Sequence, residues 1–463
     1  MKYARVKPLF KKNSPLEVGN YRPVSILSVV SKILERSIYK QLIDFLQENK
    51  MLYHLQSGFR QKYSTDTCLI HLLDYLRTNN SKGLYTGMIM LDLQKAFDTV
   101  DHNILCNKLK VMGVQSIDWF ESYLTDRVQF VSVNNTMSEP MNVTCGVPQG
   151  SILGPLLFLT YVNDMSISID TDCKLILYAD DSAILYTHRD PKIISSKLGK
   201  VLEQCSDWLI DNKLSLHVGK TECMLFGPKR KIKQITDFSI KCYDHVIRAT
   251  EVVKYLGVHI DKYLNFEFIV ANIVKKVNGR LKFLYRNANC LDPRSRKTLS
   301  TALIQCYFDY SCSSWYSSLG AGMTKKLQIL QNKVVRFVLD LGPRTSINCD
   351  KLDSVKMLSV PDRVKQLRIN HVFNIFHGKA PGYLCENFNV NQGNTRGATN
   401  INFIVPNSKL SSKNTFTYQA ISDWNKLPIS IKSITNKEQF KKGVKDFLHL
   451  EARMREDNEY IYF

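Results

Sequence analysis

The 463-residue sequence predicts a mixed α/β (α+β) fold with a mostly helical C-terminal extension. Three observations carry that expectation. Strand-length apolar runs alternate with stretches of helical periodicity as far as about residue 260. Two apolar strands flank Ala179-Asp180-Asp181, the pattern of a tight hairpin. Beyond about Phe266 the strand signal stops and helical patterns follow one another.

From Ile26 to Leu46 the apolar residues Ile26, Leu27, Val30, Ile33, Leu34, Ile38, Leu42 and Leu46 keep a helical spacing, which assigns Lys32, Glu35, Arg36 and Lys40 to the outer face. A second helix over Cys68–Leu76 is entered through Ser64-Thr65-Asp66, a capping cluster. The run Gly87–Leu93 reads as a buried strand interrupted by Asp92. Helices follow over Asn103–Met112 and Ile117–Leu124, then a strand over Arg127–Val133 with a turn at Asn134-Asn135. The stretch CGVPQGSILGP leads into a helix over Leu156–Asp164, and Cys173–Tyr186 reads as strand, turn, strand. A helix over Ile193–Asn212 and strands at Leu214–Val218, Cys223–Phe226 and Val252–Ile260 complete the alternation. Helices are expected at Phe266–Asn287, Arg294–Tyr310, Lys325–Leu341 and Lys437–Leu450, with a loop over residues 390 to 413.

A hydrophobic fraction of 44% and a charged fraction of 23% are those of a globular protein. Sixty-three Lys and Arg against 42 Asp and Glu give a formal charge of +21, which suits a polyanionic partner. The 12 cysteines contain no C-x-x-C pair, so a zinc ribbon is not expected and the thiols read as reduced and mostly buried. The N-terminus has no apolar core of a signal peptide, and the run Ile152–Val162 is too short to cross a bilayer. A nuclear or cytoplasmic protein without a membrane partner is therefore expected.

Three carboxylates sit where a carboxylate is costly: Asp92 in an apolar run, and Asp180 and Asp181 at a hairpin tip between LILY and AILY. Divalent metal ions remove the cost, because hard Mg²⁺ prefers carboxylate and phosphate oxygens, with Mn²⁺ also accepted. Two such ions roughly 4 Å apart suit phosphoryl transfer. A lone Asp-Asp pair is more often a polar turn, so the neighbourhood decides.

YADD, preceded by LDLQKAFDTVDH and GVPQGSILGPLLF in that order, resembles the palm of reverse transcriptases, most closely those of non-LTR (LINE-like, jockey-type) retrotransposons. NYRPVSILSVVSKILE and QSGFRQKYST resemble that family's finger motifs. The resemblance implies a right-hand polymerase, with fingers and an antiparallel palm over residues 1–260, a helical thumb over 261–342 and a C-terminal extension of unknown role over 343–463. It implies RNA-directed DNA polymerase activity on an RNA template, a DNA primer and dNTPs, with two Mg²⁺ ions held by Asp92, Asp180, Asp181 and the Leu93 carbonyl. Phe97 falls on the steric gate, Gln149 and Gly150 on the pair lining template and nucleotide, and Arg60 on the triphosphate grip. Lys220 falls on the palm lysine near the triphosphate, and Leu256-Gly257 on the primer grip. Arg22 matches either a template contact or a finger salt bridge, and Asp98 is given a structural role.

The basic helix with Lys275, Lys276, Arg280, Lys282 and Arg286 fits either a thumb on a duplex or a solvated face. A full element of this kind carries an endonuclease ahead of the polymerase, and the finger motif starts within the first twenty or so residues, so a truncated copy or partial gene product is expected. Rival readings are a catalytically silent relic that only binds nucleic acid, an RNA-dependent RNA polymerase, against which Phe97 speaks, and a structural protein, which leaves the placed carboxylates unexplained.

Overall fold

Strand and helix signals coexist because the chain builds two larger sheets and two small hairpins before it turns mostly helical. The computed structural model describes residues 2–134, 136–391, 401–406 and 413–461. They gather into two compact units that do not follow chain order. One comprises Met1–Gln61, Gly87–Leu225 and Thr236–Thr250, and the other Lys62–Thr86, Phe226–Ile235 and Glu251–Phe463.

The first unit holds two main sheets. In one, Tyr3–Phe10 pairs antiparallel with Tyr21–Ile26 and parallel with Arg127–Val133, onto which Thr136–Met137 and Met141–Val143 add. In the other, the strand order is Lys174–Tyr178, Asp181–His188, Tyr85–Leu91, Glu222–Phe226. Its first two strands form an antiparallel hairpin with Tyr178 opposite Asp181. The core strand Tyr85–Leu91 is buried along nearly its whole length, as expected for a strand covered on both faces. Helix Pro191–Asp211 buries Ile194, Leu198, Leu202, Cys205 and Leu209, and packs beside the small hairpin Ser239–Cys242/His245–Arg248.

Several expectations need correction. The first helix runs Val29–Glu48, with Ser28 accepting from the Ser31 N–H as cap, and Ile26 belongs to a strand. Arg36 and Lys40 lie outside and Leu42 and Leu46 inside as expected, but the first turns do not follow the apolar pattern. Val30 and Ile33 are 63% and 67% exposed, whereas Glu35 is 1% exposed. Leu216 forms only an isolated bridge with Leu93, not a strand over Leu214–Val218. The strand expected over Val252–Ile260 is a hairpin, Val252–Tyr255 and Val258–Asp261, because Leu256 and Gly257 both take positive φ, 44° and 82°. Asp92 does not interrupt its strand but follows the last residue, Leu91. The strand Tyr3–Phe10 and the 239–248 hairpin went unread. Asn135 and most of the 390–413 loop lie outside the described residues.

The second unit is helical apart from that hairpin. Asp261 starts its first long helix: its carboxylate accepts the N–H groups of Tyr263, Asn265 and Phe266 just ahead of Glu267–Arg286. That helix buries Ile269, Val270, Ile273, Val277, Leu281 and Leu284 and keeps Lys275, Lys276, Arg280, Lys282 and Arg286 outside. It packs against Ala321–Leu339. Helices Val360–Phe376, Phe416–Asn425 and Lys437–Ile461 meet at Phe373, Trp424 and Phe440, with the Phe373 and Phe440 rings stacked at 4.3 Å. No helix among the described residues is long and apolar enough to cross a membrane. All 12 cysteines are free, and six are buried.

Helix Thr65–Ser81, closed by a Ser64/Thr67 capping box, joins this unit from far earlier in the chain. The reason is polar as well as apolar. Asp74 accepts from the Phe416 and Thr417 N–H groups (2.6 and 2.9 Å) at the N-terminus of Phe416–Asn425, and from the Thr417 hydroxyl. Arg77 donates to the Ser314 carbonyl and Ser318 hydroxyl, and Asp66 meets His371 and Ser311. Asp74→Ala would leave the Phe416 and Thr417 donors without their acceptor and Arg77 without the carboxylate 3.7 Å from it. It should lower unfolding stability by about 3 kcal/mol in a denaturant titration, and a loss under about 1 kcal/mol would refute the account.

Candidate active site

The hairpin tip is the centre of the first unit. Tyr178 and Asp181 pair across a two-residue turn in which Ala179 has φ 57°, a conformation that costs a non-glycine residue roughly 1 kcal/mol. The segment Leu55–Gly58 holds it there. The Gln56 side-chain oxygen accepts from both the Gly58 N–H (2.8 Å) and the Ala179 N–H (3.0 Å). Leu177 N–H donates to Leu55 O, and Ser57 N–H to Leu177 O. A Cβ on Gly58 would lie 2.4 Å from Ala179 N, so only glycine admits this approach.

Asp92 emerges beside the tip. Gln94 N–H donates to Ser215 O and His217 N–H to Asp92 O, both at 2.9 Å. These bonds flank Leu93 without engaging it, the non-hydrogen-bonded geometry of an antiparallel pair, so the Leu93 carbonyl is turned away from that segment. The Leu93 side chain is buried. Lys220, at the end of the turn Val218–Lys220, lies 3.6 Å from an Asp92 oxygen; the two side chains are 55% and 46% exposed.

Burial and charge crowding together set the electrostatics of the tip, burial first. Desolvation of its carboxyl, then the charges of Asp180 and Asp92, push the pKa of Asp181 up to about 6, opposed by Lys11. Asp181 still presents surface to water, so the repulsion by its two neighbours is the part a cation would reverse. Among the described residues, no three His, Cys, Asp or Glu side chains converge tightly enough to hold a metal ion alone. The donor set nevertheless fits a hard divalent cation: it offers only oxygens, and substrate phosphates can supply the rest of the shell.

The remaining expected residues fall into three groups. Phe97 stacks on Phe158 at 4.2 Å and meets Phe59 edge-on at 6.1 Å, half-buried. Gln149 donates from its amide to Asp98 (2.8 Å), whose carboxyl is raised by burial against the pull of Gln149, Lys95 and Arg22. Gly150, at φ 115°, packs so closely that a Cβ would sit 2.5 Å from Ser25 O. The Arg60 guanidinium donates to the Tyr53 and Gln56 carbonyls and so braces the segment that holds the tip. Sequence reasoning missed Gln56, Lys11 and Glu35. QSGFR contains the first, but no local pattern shows that its side chain reaches a turn more than a hundred residues later.

Leu256 and Gly257 lie in the second unit, where the Tyr310 hydroxyl donates to Leu256 O at 2.6 Å. Beside them is a cavity of about 360 Å³ whose lining includes Lys254, His259, Lys276, Tyr307 and Tyr310. Burial, then Lys254 and Lys276, lowers the pKa of His259, and the Lys276 ammonium lies 5.3 Å from the Tyr307 ring centre.

Residues 10–260 match the family described as reverse transcriptase (RNA-dependent DNA polymerase). Curated relatives from Drosophila melanogaster include a probable RNA-directed DNA polymerase from transposon X-element, 27% identical over 70% of this chain and 36% of that protein. Another, from transposon BS, is 28% identical over 73% and 38%, and the RNA-directed DNA polymerase from mobile element jockey is 27% identical over 70% and 36%. The chain thus spans little more than a third of the length of these relatives. Among solved structures, telomerase from Candida tropicalis in complex with a telomeric RNA fragment has a TM-score of 0.41 at 12% identity, covering 79% of this chain and 61% of that one, too distant to carry functional weight.

A raised carboxylate binds its proton more tightly folded than unfolded. Asp181 therefore contributes less stability as pH rises from about 4 through about 6. Asp181→Asn should raise the melting temperature of the metal-free protein at pH 7 by about 2 °C and weaken its stabilisation by Mg²⁺. A lower melting temperature at pH 7, together with an unchanged Mg²⁺ response, would contradict this.

Proposed function

Because the chain belongs to the reverse transcriptase (RNA-dependent DNA polymerase) family, we propose that it extends a DNA primer on an RNA template by two-metal transfer of nucleotides from dNTPs. The observation that carries this reading is the crowding of Asp92, Asp180 and Asp181 around one braced hairpin tip, with Lys220 against Asp92, inside the residues that match the family. The proposed domains are fingers and palm over 1–260, thumb over 261–342 and an extension over 343–463. Helix Thr65–Ser81 shares its compact unit with the last two.

Divalent ions, two Mg²⁺ or Mn²⁺, would be held by Asp92, Asp180, Asp181 and the Leu93 carbonyl, and would supply activation of the primer 3′-hydroxyl and charge neutralisation on the pyrophosphate. The protein's own part is positioning. Lys220 swings from Asp92 to the triphosphate, where its ammonium offsets charge on the leaving pyrophosphate and can give it a proton. Lys11 brings a second positive charge to the same carboxylates. Arg60 grips the triphosphate and also braces the tip, its Nη1 donating to the carbonyls of Tyr53 and Gln56. Phe97, held by Phe158 and Phe59, would act as the gate that excludes a ribose 2′-hydroxyl. Gly150 lets backbone approach the nascent pair, and Asp98 aims Gln149. Leu256-Gly257 and the neighbouring basic, aromatic cavity suit a primer backbone.

Purified protein given an RNA template, a DNA primer and dNTPs should extend the primer only with a divalent cation. Asp180→Ala should reduce extension at least about 10³-fold while leaving duplex binding intact. Binding without extension by the unaltered protein would instead support the silent-relic reading. Phe97→Ala should admit rNTPs, raising their use relative to dNTPs roughly tenfold or more in a competition assay. Unchanged sugar selectivity would remove Phe97 from the gate.

A further inference from the structure

The loop carrying Gln149 and Gly150 is gripped on two sides. On one, Gly146 N–H donates to Val100 O (2.7 Å), Val147 N–H to Phe97 O (2.8 Å), and Ser25 N–H to Gln149 O (2.7 Å). On the other, the Ile152 N–H, two residues past Gly150, donates to Glu35 at 2.6 Å. The second Glu35 oxygen accepts from the Ser31 hydroxyl (3.2 Å) and the Tyr123 hydroxyl (3.1 Å). Tyr123 is itself held by Arg127, which is buried, stacks over the Tyr123 ring at 4.9 Å and donates to Tyr123 O.

Such an arrangement is an expensive way to fill a core. An apolar side chain of the same volume would pack there without desolvating a carboxylate. What the carboxylate adds is an acceptor for a loop N–H, on a helix that turns Val30 and Ile33 to solvent while burying Glu35. The opposite side of the loop has no slack, because Gly150 already lies against Ser25 O. The distance between Gly150 and whatever it faces is therefore set at the Ile152 end.

We propose that Glu35 is a positioning residue for the Gln149–Gly150 loop, fixing through the Ile152 N–H how closely the Gly150 backbone meets the incoming nucleotide. The nucleotide part of this statement rests on the polymerase reading above; the clamp itself does not. Loss of the clamp lets the loop drift, so dNTP binding weakens more than turnover does.

Two measurements on the full chain test it. Hydrogen exchange of residues 146–153 should accelerate in Glu35→Ala while the 174–188 hairpin stays protected. The KM for dNTP should rise about tenfold, with kcat changed less than about threefold. Glu35→Gln, whose amide oxygen can still accept from Ile152, should restore KM to within about threefold of the unaltered enzyme. Should Glu35→Ala not fold, Tyr123→Phe, which removes one of the two bonds to the second Glu35 oxygen without opening a cavity, should give the same exchange pattern at smaller amplitude. Unchanged exchange over 146–153 would overturn the clamp. A fall of kcat in step with melting temperature, at constant KM, would also overturn it by making Glu35 an ordinary core group. If the unaltered protein extends no primer, the polymerase reading fails while exchange still decides the clamp.

Discussion

The partial burial of Asp181 beside the charges of Asp180 and Asp92 is the constraint around which the hairpin tip is arranged. Three carboxylates near one hairpin tip would move apart unless the backbone beneath them were fixed. The fixing is extensive. Ala179 is held in a left-handed conformation by the bond from its N–H to the Gln56 side chain, Gly58 lets the Leu55–Gly58 segment lie against the turn, and Arg60 ties that segment to itself. Strain in the turn and crowding of charge are both offset by bonds made elsewhere, the pattern of a site organised for a ligand rather than for stability. Lys11 and Lys220 temper the negative charge without removing it.

The second unit uses buried or half-buried carboxylates differently, as connectors. Asp74 anchors a helix N-terminus, Asp66 links His371 to Ser311, and Asp261 collects three backbone N–H groups ahead of the basic helix. In each, an anion meets oriented N–H or O–H groups, so burial is balanced by hydrogen bonds rather than by a mobile counterion. These links explain why a helix from residues 65–81 belongs with segments hundreds of residues later.

Much of the candidate site was legible because its signals are local. A hairpin tip between apolar strands, a carboxylate at the end of an apolar run and a glycine beside Gln149 each follow from residue type and spacing. The readings that the structure corrects turn on burial and backbone conformation that residue type alone does not encode. Glu35 looked exposed because helical periodicity was judged by counting apolar residues, and Val30 and Ile33 outweighed it. The single strand expected over Val252–Ile260 split because Leu256, an ordinary strand residue by type, adopts positive φ beside Gly257.

The sequence by itself determined the mixed α and β class, the succession of most helices and strands, the family, and the carboxylates on which the proposed chemistry turns. Periodicity, turn residues and short motifs encode these, and each depends on neighbours in the chain. Tertiary structure alone decided which face of the first helix is buried, what braces the hairpin tip, and how the chain divides into its two units. Those outcomes depend on hydrogen bonds such as Gln56 to Ala179, Glu35 to Ile152 and Asp74 to Phe416, whose partners lie more than a hundred residues apart and leave no periodic trace.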